Sequence, residues 1–337
     1  MTTPDTIQYV LGQLFMVGLP GLALDDSTYR LIEEFRINNF IYFKRNVESP
    51  EQLKKLSDDL YEACKQNNLG PPLIAIDQEG GSVARLAPPF TQFPDARVLA
   101  QGQNPEYKLS DYARVCSKEL TGIGVNYNLA PVLDVCEAGK EYFMEKRSFG
   151  SDPELVGRHG THVIREMQAH GIAACGKHFP GLGAAVVDPH LELPYVGKGE
   201  PDIRAQDILP FQQAVAAGVA SIMTSHTIYH HLDPGNPATL SRKILTGLLR
   251  NELGYDGVII TDDLEMGAIE KEGDLGEAAL QAFAAGADLL LICQSHEKAI
   301  DALEKTVRAT TEHPEMQART QESIRRVTAM RETFAQR

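Results

Sequence analysis

The chain has 337 residues, of which 43% are hydrophobic and 23% charged, enough apolar side chain for a large core. Its formal net charge of -14 excludes a polyanionic partner such as nucleic acid, because that binding needs a basic face to displace counterions. No stretch approaches the ~20 continuous apolar residues that cross a bilayer, and five cysteines without CxxC spacing argue against a disulfide framework or structural zinc site. The expectation is a cytoplasmic monomer with reduced thiols, no membrane partner, no metal and no cofactor.

Short apolar or β-branched runs recur along the chain. In order they are LFMVG (14–18), FIYF (40–43), LIAID (73–77), VNYNLAPVLDV (125–135), AACGKHF (173–179), ASIMTSH (220–226), GVIITDD (257–263) and ADLLLIC (287–293). Longer amphipathic stretches separate them, such as SPEQLKKLSDDLYEACKQNN, which opens on a serine cap. That alternation predicts a parallel sheet covered by helices, and eight repeats best match an α/β fold of the (β/α)8 TIM-barrel type. No Pro/Ser-rich linker divides the chain, so residues 1–337 read as a single catalytic domain, with terminal helices from about 295 packed outside the barrel.

In such a barrel the active site lies at the carboxyl ends of the strands. The residues there are Lys44 and Arg45, Asp77, Lys177 and His178, Ser225 and His226, and Asp262 and Asp263, with Arg85 and Arg147 in the loops after strands three and four. Each also has a plain structural reading. Asp263 reads first as a helix cap, His226 equally as a satisfied structural residue, Arg147 as a surface partner of Glu141 or Glu145, and Gly80 and Gly81 as turn glycines. Their coincidence at one end of several strands points instead to a site for a small, polyhydroxylated ligand: carboxylates accept from hydroxyls while Arg and Lys donate to ring oxygens. A sugar fits that chemistry. Asp262, closing a rigid apolar strand, is a candidate nucleophile. His190, with Asp188 two residues earlier to hold its ring, is a candidate proton donor, and Glu192 is its rival. Gly183, Ala184 and Ala185 give this loop small side chains suited to closing over substrate.

Several motifs run together in order: IDQEGGSVARL (76–86), KRSFGSDP (146–153), GKHFPGLG (176–183), DPH (188–190), MTSH (223–226), PATLS (237–241) and ITDDLEMGAI (260–269). On them the chain resembles the bacterial β-N-acetylglucosaminidases of glycoside hydrolase family 3, the single-domain kind that recycles cell-wall fragments. The resemblance implies Asp262 as nucleophile, Asp188 and His190 as an Asp-x-His acid/base dyad, and Asp77, Arg85, Arg147, Lys177 and His178 as ligands of the N-acetylglucosamine ring. It implies a retaining hydrolysis of N-acetylglucosaminyl-1,6-anhydro-N-acetylmuramic acid, with or without its peptide. Two departures stand out: Leu182 where relatives read His between two glycines, and Pro189 where they commonly read Ser, which predicts a stiffer loop. Four other readings compete. One is phosphorolysis, with phosphate as acceptor; one is an aldolase with Lys177 as a Schiff-base lysine; one is a hydrolase using His178, His190, His226 and Asp262 as metal ligands; one is a barrel that binds sugar or a partner protein after losing catalysis.

Overall fold

A computed structural model describes residues 4–139, 142–183, 195–266 and 274–336. Asp188, His190 and Glu192, with Glu141 and Pro189, lie outside the described residues.

Eight short strands form one parallel sheet: β1 (Phe15–Gly18), β2 (Asn39–Tyr42), β3 (Leu73–Ile76), β4 (Tyr127–Asn128), β5 (Ala173–Phe179), β6 (Ser221–Thr224), β7 (Val258–Ile260) and β8 (Leu290–Ile292). They neighbour one another in the order β7-β6-β5-β4-β3-β2-β1-β8. A parallel bridge from Ile260 to Leu289 joins the two ends, so the sheet closes into a (β/α)8 TIM-type barrel, as the alternation predicts. The strand residues are buried, as expected when side chains fill the barrel on one face and helices cover the other.

Strand β5 occupies the predicted AACGKHF, but β4 is much shorter than 125–135. The chain turns through a cis Ala130–Pro131 peptide, and Pro131 has no amide to donate to a ladder. Backbone pairing to β5 nonetheless continues past it, with Lys177 N donating to Pro131 O at 3.2 Å and Leu133 N to Lys177 O at 2.6 Å, while on the β3 side Asn126 Oδ1 accepts from the Ile74 amide at 2.9 Å and Asn128 Oδ1 from the Gln78 amide at 3.0 Å. The helix Pro50–Gln66 starts where the sequence predicts, with Ser49 Oγ accepting from the Gln52 amide at 3.1 Å.

Two helices, His296–Glu312 and Pro314–Phe334, follow β8. The last is bound to the barrel by Asp288, which is fully buried and accepts from Arg319 and Ser323 at 2.9 and 2.8 Å, and from Arg250. Among the described residues no helix is long and apolar enough to cross a membrane.

Candidate active site

The carboxyl ends of the strands surround a cavity of about 310 Å³, near the small end of ligand pockets generally (roughly 300–1,000 Å³). Asp77, Arg85, Arg147, Lys177, His178 and Asp262 all line it, so six of the eight residues expected to act on substrate meet in one space. The dyad residues Asp188 and His190 belong to the segment outside the described residues.

Immediately after β3 the chain makes a small hairpin, Gln78–Gly80 against Val83–Ala84. Gly80 and Gly81 take φ of 99° and 55° at its tip, and a Cβ on Gly81 would sit 2.0 Å from Asp95 Oδ1. Only glycine fits that turn, so its role is the structural one. The hairpin brings Arg85 back over Asp77, to whose Oδ2 it donates at 2.9 Å. From β5, Lys177 Nζ reaches Asp77 Oδ1 at 2.8 Å and Glu79 Oε1 at 2.7 Å. Arg147 closes the cluster with a two-pronged pair on Glu79, at 2.9 and 2.7 Å. Arg147 therefore turns inward, against the reading that set it in a surface pair.

Burial pushes the Asp77 carboxyl up, but the Lys177 ammonium and Arg85 guanidinium outweigh it and hold it well below the usual carboxylate range. Glu79 behaves alike: Arg147 and Lys177 overcome its burial and bring it to about 2. Lys177 is opposed by its own burial, yet Asp77 and Glu79 raise it above the ordinary lysine value. A lysine locked as ammonium has no lone pair for a carbonyl, which counts against the Schiff-base reading. Each Asp77 oxygen keeps a lone pair for a ligand hydroxyl. Arg85 Nε is buried with no hydrogen-bond partner among the described residues.

His178 is held by Asp134, which sequence reasoning missed along with Glu79. Asp134 Oδ2 lies 2.8 Å from His178 Nδ1, while its Oδ1 accepts the amides of His178 at 3.2 Å and Leu182 at 2.6 Å. The carboxylate fixes the proton on Nδ1 and leaves Nε2 for the ligand side. Both missed acids carry a signal in the sequence. Glu79 stands two residues after Asp77, and Asp134 sits just before the end of the fourth apolar run. Leu182, between Gly181 and Gly183, is 3% exposed and packs on Val132, Cys136 and Met144.

Asp262 follows β7, and its Oδ1 accepts from the Asp263 amide at 2.8 Å. Asp263 caps a turn: its Oδ1 accepts from the Glu265 amide at 3.1 Å and, from the end of the neighbouring strand β8, from the Cys293 amide at 3.2 Å. Burial pushes the Asp263 carboxyl up to about 7; the Glu265 amide opposes this, and the charges of Glu265 and Asp262 add to it. Three other strand-end candidates, Arg45, Ser225 and His226, serve the frame. Arg45 donates to Leu19 O at 2.7 Å and Gln294 Oε1 at 3.0 Å, Ser225 to Thr227 at 2.7 Å, and His226 bonds Thr239 and the Asp263 carbonyl. Among the described residues, no three of His, Cys, Asp and Glu are gathered to hold a metal ion, so His178, His226 and Asp262 do not converge as ligands.

The model of the Glycosyl hydrolase family 3 N terminal domain matches residues 6–330. A Beta-hexosaminidase of Alkalilimnicola ehrlichii is 37% identical over 299 residues, 87% of this chain and 84% of that protein. A Beta-hexosaminidase of Vibrio cholerae is 35% identical over 295 residues, 87% and 86% of the two chains. Among solved structures, a glycoside hydrolase family 3 β-N-acetylglucosaminidase from Paenibacillus superposes with a TM-score of 0.92 at 38% identity. That match covers 97% of this chain, which spans 62% of the Paenibacillus chain. NagZ from Neisseria gonorrhoeae, solved in complex with N-trifluoroacetyl-D-glucosamine, superposes at 0.77 with 28% identity, covering 93% of this chain and 98% of that one.

Proposed function

The chain belongs to glycosyl hydrolase family 3 and is a glycoside hydrolase, and from that premise we propose that it is a retaining β-N-acetylglucosaminidase. Its proposed substrates are cell-wall muropeptides carrying terminal N-acetylglucosamine on 1,6-anhydro-N-acetylmuramic acid, met in the cytoplasm by a single-domain monomer. The observation that carries the reading is one of placement. The Asp262 carboxylate opens onto the same cavity as Asp77, Arg85, Arg147, Lys177 and His178, so a sugar held by those five presents a ring carbon to Asp262. The names of the relatives, Beta-hexosaminidase and β-N-acetylglucosaminidase, and the N-acylglucosamine in the NagZ complex support the sugar's identity.

In the proposed reaction an Asp262 oxygen forms a bond to C1 as the bond from C1 to the leaving oxygen breaks, and His190 donates its proton to that oxygen. Water then attacks C1 from the vacated face, giving its proton back to His190 and releasing Asp262. Asp188 holds the His190 ring. Asp77 and Glu79, kept ionised by three cations, fix Lys177, Arg85 and Arg147 as a rigid donor array for the sugar hydroxyls. The variants Asp262→Ala and His190→Ala, assayed on N-acetylglucosaminides with good and poor leaving groups, test these roles. Asp262→Ala is expected to lose activity severely on both substrates, while His190→Ala loses less glycosylation rate on the activated aryl glycoside. Small, equal losses in both variants reject the assignment.

A further inference from the structure

We infer that His226 is a positioning residue for the nucleophile: its imidazole fixes the backbone of the Asp262–Asp263 turn and so aims the Asp262 carboxylate. The inference rests on the proposed role of Asp262 and adds a residue to it. His226 is 1% exposed and does not line the sugar cavity, so it acts through another group. Its Nε2 lies 2.9 Å from the carbonyl oxygen of Asp263. A carbonyl only accepts, so Nε2 carries the proton and donates. The same carbonyl accepts from the Met266 amide at 3.0 Å, so both of its lone pairs are used.

The other ring nitrogen has its own partner. With the proton on Nε2, Nδ1 accepts the single hydrogen of the Thr239 hydroxyl 2.8 Å away, and Thr239 Oγ1 in turn accepts from Thr224 Oγ1, 2.7 Å away at the end of β6. The imidazole therefore spans from the end of β6 to the turn after β7, with both ends bonded in a buried setting where such bonds hold direction well. The turn has little other freedom. Asp263 Oδ1 ties it to the Cys293 amide beyond β8, and the Asp263 amide holds Asp262 Oδ1 at 2.8 Å. His226 is the brace from the β6 side, Cys293 the brace from the β8 side, and Asp262 stands between them. A nucleophile that must meet C1 in line loses rate when displaced by a fraction of an ångström, while ground-state binding by the Lys177 and Arg85 cluster is untouched.

Two substitutions separate this role from mere core filling. In Gln, the side-chain amide nitrogen reaches the position of Nε2 and can donate to the Asp263 carbonyl; in Asn, it reaches only the position of Nδ1 and leaves that carbonyl one donor short. The probe is a 5-fluoro N-acetylglucosaminyl fluoride, on which the Asp262 oxygen bonds to C1 as fluoride departs with the C–F electron pair. His226→Asn should lower the saturating rate of covalent labelling about ten- to a hundredfold with little change in the half-saturating concentration, and His226→Gln should restore most of it. Thr239→Val, which strips the hydroxyl from Nδ1, should lower the rate in the same direction and stands in if His226→Asn does not fold. Equal labelling rates in wild type and the variants, or equal losses in the Gln and Asn variants, overturn the inference while leaving the nucleophile assignment intact. A wild-type label on a residue other than Asp262 overturns that assignment, and this inference with it.

Discussion

Replacing Glu79 by Gln removes one negative charge from the centre of the cavity wall and keeps the side chain's shape. Lys177, 2% exposed, then keeps only Asp77 as an ion-pair partner, and Arg147, 11% exposed, loses the carboxylate it pairs with. The cost follows from the carboxyl itself. It is held at about 2 against an ordinary 4.5, and at 1.36 kcal/mol per pH unit that difference amounts to about 3 kcal/mol of native-state stability. Breaking one partner of a buried ion pair generally costs about 3–5 kcal/mol, the same scale. Because the folded value is depressed, the contribution is present in full above 4.5 and is lost as pH falls toward about 2. Denaturant unfolding of wild type and Glu79→Gln should therefore differ by about 3 kcal/mol at neutral pH, with the gap narrowing steadily on acidification. Activity should fall through KM as well as kcat, since the donor array loses its alignment. A loss under about 1 kcal/mol at neutral pH, in the range of an exposed pair, or a gap that does not narrow in acid, would refute the reasoning.

Other expectations follow from the same contacts. Asp263, pushed up to about 7 from 3.8, binds its proton more tightly folded than unfolded, so it lowers stability as pH rises from 3.8 to 7; Asp263→Asn should flatten the stability profile across that window, as thermal melts in a pH series can record. Asp288→Ala strips the shared partner from Arg250, Arg319 and Arg326 and should destabilise the fold by about 3–5 kcal/mol in denaturant unfolding, with KM for a sugar substrate unchanged. Leu182→Ala should cost about 2–5 kcal/mol in denaturant unfolding by opening a cavity beside Val132 and Met144. Borohydride with a ketone should leave Lys177 unmodified by mass, because Asp77 and Glu79 keep it protonated.

The barrel was legible because its signal is local: an apolar run reads the same wherever its neighbours lie, and Ala173–Phe179 emerged at its predicted bounds. Strand β4 did not: Pro131 has no amide to donate, and Asn126 and Asn128 add side-chain oxygens toward β3, features that an apolar pattern does not register. Among site residues, position at a strand end sufficed to find Asp77, Lys177, His178 and Asp262. Partnership was the part that could not be read. Arg147 meets Glu79 across 68 residues and His178 meets Asp134 across 44, separations that only the closed sheet brings together. For the same reason Glu79 and Asp134 passed as ordinary acids beside the apolar runs, although the strand-end rule that found Asp77 applies to both. His226 and Arg45 err the other way: they stand at strand ends but point into the frame, and no pattern in a single chain separates a brace from a ligand.

The central claim is that the Asp262 carboxylate attacks the sugar's anomeric carbon. Quenching the wild-type protein with the fluorinated glycosyl fluoride, digesting it and mapping the adduct by mass spectrometry tests this directly. The account predicts a single added N-acetyl-fluoroglucosyl group on the peptide holding residues 258–266, fragmenting to Asp262 and absent from Asp262→Ala. An adduct on Glu192, on Asp263 or on any other side chain would contradict it.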